Sequence, residues 1–187
     1  QQIEGEKELF RIHSELDRCL RTRRFVLGNA PCAVDAVLVG GLRAHFLNDP
    51  YPKKIIQSLS RVKSYALRSD SCTFEKPLSG ITEIPEFFDF VLKEMSNGYV
   101  HFVTKNRDAI ASGKKSFIAS VYNESVSYLA RPYVEKSRRM LQHHTASFLR
   151  NSPKDLDRYL KLLEKYNLSD LYEPQLYSTQ SLLSSNL

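Results

Sequence analysis

Asp35 stands in the apolar stretch FVLGNAPCAVDAVLVGGL (25–42), three residues after a cysteine. A carboxylate buried without partners is costly, so it must meet donors or give up its charge. The nearest donors are the free backbone N–H groups at a helix start. The spacing predicts that Pro31 closes a turn, Cys32 is the N-cap and Asp35 is the third helical residue. Its carboxylate then folds back onto the N–H of Cys32, a capping box with Asp in place of Glu or Gln. The chemistry expected of Pro31, Cys32 and Asp35 is therefore structural, a helix cap, and no catalytic residue is assigned.

The other reactive side chains give no site. His143 and His144 are adjacent, so on a helix they point about 100° apart and cannot share one metal; they read as solvent-facing. His13 and Asp17 stand four residues apart and read as a weak surface pair. Cys19, Cys32 and Cys72 are far apart, with no C-x-x-C, which favours the cytoplasm or another reducing compartment. The dinucleotide, P-loop, G-x-S-x-G and H-E-x-x-H patterns are all missing. No metal ligand set and no cofactor in this chain is expected.

The elements that must position the cap read as mainly helical. Leu9, Ile12, Leu16 and Leu20 set a first amphipathic helix over 3–20. The capped helix follows, from about 33 to 46, with Val34, Ala36, Val37, Leu38, Gly40, Gly41 and Leu42 expected to bury most of its circumference. NDPYP breaks it, and Pro52 suits the first position of the next helix, which is expected to split near Ser60. Residues 69–82 read as a polar loop. Thr82 or Glu83 is expected to open a long helix that Asn97-Gly98 kinks. Residues 117–130 change to alternation and predict a short hairpin or a pair of extended arms. Pro132 opens a helix with Val134, Met140, Leu141 and Phe148 as its apolar residues, and Ser152-Pro153 caps a last one. Residues 1–173 read as one helical domain, and 174–187 as a flexible tail.

The 187 residues, 42% of them hydrophobic, suffice for a compact globular core. No window reaches the roughly 18 apolar residues of a membrane helix, so no membrane span is expected. The formal charge of +6 raises nucleic acid as a partner, but the basic residues are scattered among acids without interleaved aromatics, which argues against it. The chain opens on Gln1 rather than Met, which leaves room for an upstream domain or targeting segment.

Taken together, Leu9 to Leu20 followed by RRFVLGNAPCAVDAVLVGGLRAH resembles the C-terminal helical domain of glutathione transferases. Leu27-Gly28, Pro31 and Asp35 match that family's turn and cap; Cys32 departs from it, standing where a hydroxyl is usual. NDPYPKKI, FVTKNRDAIASGKKSF and YLARPYVEKSRRML look like the extended C-terminal half of such proteins, so the resemblance spans most of 3–172. It implies a glutathione-transferase C-terminal-like helical bundle with a short β excursion. It also implies the half that lines the acceptor-substrate site and shapes a dimer. Glutathione would be a co-substrate bound by an upstream thioredoxin-like domain, and the partners would be that domain or a homodimer mate. Similar domains serve as protein-interaction modules in translation complexes and at the mitochondrial outer membrane, which gives the alternative role and a mitochondrial association.

Overall fold

Leu16 and Leu20 are buried where the first helix was expected: α1 spans Gln2–Cys19. The computed structural model describes residues 2–68, 84–121 and 124–171. The chain forms two compact units, residues 1–91 and 92–187. It is mainly helical, with one small antiparallel sheet.

In the first unit, α1 leads into a tight turn in which Phe25 and Gly28 exchange backbone hydrogen bonds of 2.7 and 3.1 Å. Gly28 has φ +135°, a conformation open to glycine and hardly to any other residue. α2 (Ala33–Gly41) continues through a π-helical turn, Leu42–Phe46, closed by Leu47 N–H to the Leu42 carbonyl at 2.9 Å. α3 (Pro50–Ile56) follows, then α4 (Ser60–Arg68), so the break near Ser60 is present. Pro50 rather than Pro52 takes the first position of α3, with Asp49 as N-cap. α5 (Glu86–Glu94) brings Phe87 into the core, which gathers Leu16, Val26, Ile56, Val62 and Tyr65. The expected start at Thr82 or Glu83 and the loop 69–82 lie outside the described residues.

One expectation for α2 is corrected. Only Asp35 and Val39 are buried along it; Ala36, Gly40 and Gly41 are exposed and Val37 is 76% exposed. The helix has a core stripe rather than a buried circumference, because α1 and α4 supply the apolar surface opposite one side of it.

The second unit begins with a π-helical turn at Met95–Tyr99, where Asn97-Gly98 predicted a kink, and runs into α6 (Val100–Ala111). β1 (Ser116–Val121) and β2 (Glu124–Leu129) then pair as a hairpin in the register Ser116 to Leu129 through Val121 to Glu124. Its inner face carries Phe117 and Tyr128, whose rings lie 5.5 and 5.1 Å from Phe102 of α6. α7 (Pro132–Asn151) lies along α6, and α8 (Asp155–Lys165) is followed by a 3-10 turn, Ser169–Leu171. Val100, Leu163, Tyr166 and Leu168 form the core there. Lys154 is the N-cap of α8, and Ser152 contributes its carbonyl to the N–H of Asp155 at 2.9 Å instead of capping by its side chain. The segment 174–187 lies outside the described residues.

Candidate functional site

Asp35 is 3% exposed and accepts three hydrogen bonds. Oδ2 takes the N–H of Cys32 at 2.8 Å; Oδ1 takes the N–H of Val26 at 3.0 Å and the hydroxyl of Tyr65 at 2.7 Å. Cys32, extended at φ −132°, is the N-cap, and its sulfur faces the backbone N–H groups of Asp35 and Val34. Pro31 precedes it and is half-buried. One carboxylate thus ties together the α2 start, the Phe25–Gly28 turn and α4. Tyr65 as a partner carried no sequence signal, since thirty residues separate it from Asp35.

The electrostatics of this cluster oppose nucleophilic chemistry. Burial first, and then the hydrogen bond to Asp35, push the Tyr65 hydroxyl far above its ordinary range. Burial followed by Asp35 also raises the Cys32 thiol. Burial raises Cys19 more than neighbouring Arg23 lowers it. Both thiols are free, and both hold their protons at neutral pH.

His13 and Asp17 are not a surface pair: each is 8% exposed and each serves a different neighbour. His13 Nδ1 lies 2.7 Å from the Leu9 carbonyl, and its ring lies 4.3 Å from that of Phe46. Burial holds this imidazole below its ordinary value, against the pull of the Leu9 carbonyl. Asp17 accepts the N–H of Arg61 at 3.0 Å, that of Val62 at 3.3 Å and Arg61 Nη1 at 2.7 Å. It therefore caps the first turn of α4 from a different helix. At the other end of α4, Arg43 donates to the Ala66 carbonyl at 2.8 Å and to that of Leu67 at 3.3 Å.

The second unit holds a cluster that sequence reasoning missed. Glu135, Arg138 and Gln142 are 4–6% exposed on the inner face of α7. Arg138 donates to both carboxylate oxygens of Glu135 at 2.8 Å and to Gln142 Oε1 at 2.7 Å. Arg139 adds a 2.6 Å bond to Glu135, and Gln142 donates to the Leu171 carbonyl. Burial drives the Glu135 carboxyl up, but the two guanidinium groups outweigh it and hold it below the usual carboxylate value. Asn106, fully buried, accepts the Arg131 N–H at 2.8 Å and donates to its carbonyl at 3.2 Å, which fixes the α7 start on α6. The 135/138/142 spacing is a single helical face and was the available signal. The apolar residues of α7 drew attention away from it.

His143 and His144 are exposed. Among the described residues no three His, Cys, Asp or Glu side chains gather as a metal set, and no helix is long and apolar enough to cross a membrane. No family model matches the chain, and neither a curated protein nor a solved structure matches it.

Proposed function

We propose that this chain is the helical half of a glutathione-transferase-like protein, supplying acceptor-site walls and assembly surface while an upstream thioredoxin-like domain binds glutathione. The observation that carries this is the Asp35 box: a buried carboxylate at the third helical position, folded onto the cap N–H at 2.8 Å and onto the preceding turn at 3.0 Å. That is the arrangement the resemblance implies for the start of the family's central helix. A reducing compartment fits the two free thiols.

The test compares two proteins. The chain 1–187 alone is expected to show no saturable glutathione binding tighter than about millimolar by calorimetry. The whole open reading frame is expected to carry a thioredoxin-like segment before Gln1 and to conjugate glutathione to an electrophilic halonitroarene. Micromolar binding by the isolated chain, or a reading frame without such a segment, overturns the proposal.

A second reading, a non-catalytic interaction module of the same fold, is favoured by one observation. α7 presents Tyr133, Met140, Leu141 and Phe148 to solvent at 52–78% exposure. A complete reading frame that contains the thioredoxin-like segment but no Ser, Tyr or Cys after its first strand decides for this role.

A further inference from the structure

α7 is inverted relative to an ordinary amphipathic helix. At about 100° per residue, Glu135, Arg138, Gln142, Ala146 and Leu149 share an arc of about 80° that is buried. Tyr133, Ser137, Met140, Leu141, His144 and Phe148 occupy an arc of about 100° on the opposite, exposed side. Four of the six are large apolar side chains, running the length of the helix. Single exposed apolar residues are ordinary, whereas a continuous stripe marks an interaction surface.

The order of residues in the stripe identifies its occupant. About a point midway between Met140 and Leu141 the positions mirror one another: Met140 with Leu141, Ser137 with His144, and Tyr133 with Phe148. We propose that α7 pairs antiparallel with α7 of a second copy of this chain about a two-fold axis at that point. Each aromatic ring then meets the other ring type, Met meets Leu, and the one polar layer, Ser137 against His144, fixes the register. Lys136, beside the stripe, falls level with Thr145 of the second copy rather than with a like charge.

The area agrees. At 78, 52, 61 and 58% exposure, Tyr133, Met140, Leu141 and Phe148 offer area enough for a small interface. With roughly 600 Å² from each copy, the total approaches the lower bound of about 1,200 Å² for stable pairs. A monomer–dimer equilibrium in the micromolar range follows, rather than a permanent dimer. This inference rests on the α7 face alone and does not depend on the glutathione-transferase proposal.

Sedimentation equilibrium on the full chain under reducing conditions tests it. The expected result is a reversible dimer whose dissociation constant rises by about 100-fold in Leu141→Glu. That side chain faces solvent, so circular dichroism should show the variant as helical as the parent. Register is tested by cysteine pairing. A mixture of Ser137→Cys and His144→Cys chains should oxidise to a 137–144 disulfide between copies, mapped by peptide mass, and neither variant should cross-link alone. A chain that stays monomeric at several hundred micromolar, on the order of the weakest specific pairs, overturns the proposal. So does a dimer that Leu141→Glu leaves intact, or cross-linking of Ser137→Cys to itself. Binding of a monomeric chain to anionic phospholipid vesicles, lost in Leu141→Glu, overturns it in favour of a membrane surface.

Discussion

The two units bury carboxylates by different means. In the first unit Asp35 and Asp17 are held mostly by backbone N–H groups at the starts of α2 and α4. In the second unit Glu135 sits inside a helix whose own N–H groups are already used, so guanidinium groups hold it instead. A carboxylate at a helix start satisfies donors that need a partner anyway. A carboxylate in mid-helix requires an opposite charge to be buried beside it, and the pair then depends on both members.

The sharpest way to break this contrast is Glu135→Ala. It leaves the Arg138 guanidinium buried without its counter-charge and should destabilise the second unit by about 3 to 5 kcal/mol, read by hydrogen exchange of the α7 amides. Glu135→Leu combined with Arg138→Met should recover most of that loss, since an apolar pair of similar volume avoids the desolvation. If the double variant is as unstable as the single one, the pair contributes more than mutual compensation.

Next in size is Asp35→Ala, expected to cost about 3 kcal/mol because three donors lose one acceptor. Asn, keeping one oxygen, should lose less. An unchanged denaturant midpoint with an unchanged slope would remove the cap from the account of the first unit. Asp17→Ala should cost about 2 kcal/mol, with increased exchange confined to the first turn of α4.

A pH titration separates the units further. The folded His13 value lies below the ordinary 6.5, so the unfolded chain takes up the proton first. Stability owed to neutral His13 is whole above about pH 7 and declines as the pH falls through the unfolded value. Glu135, held below its ordinary 4.5, contributes stability that is present above that value and lost as the pH falls through the folded one. The first unit should therefore soften at a milder acidity than the second, and His13→Gln should abolish the early phase. The smallest effect belongs to Cys32→Ser. A hydroxyl accepts the N–H of the third helical residue better than a thiol does, for a gain of about 0.5 kcal/mol in the midpoint.

The local part of this architecture was legible. Cys32 and Asp35 lie three residues apart and interact, and alternation over 117–130 became a hairpin. What escaped were the interactions at long separation. Tyr65 meets Asp35 across thirty residues, and Arg61 meets Asp17 across forty-four. Hydrophobic patterning also misled on α7, where charge is inside and apolar side chains are outside, because period alone cannot say which stripe faces the core. On α2 the apolar composition overstated burial, since small residues such as Ala36 and Gly40 sit at a surface with little cost.

The wide turn at Leu42–Phe46 threads one more residue through its hydrogen-bonded ring than an α-helix does. Deleting any one residue there would leave ordinary helix but swing everything beyond it through about 100°. Arg43, at the near end, grips the carbonyls of α4, while Phe46, at the far end, lies against the His13 ring. Only the longer ring lets both ends keep their engagements, so a one-residue gap would detach the phenyl group without altering any side chain. At this point the chain's residue count, more than the chemistry of its residues, decides which ring reaches His13.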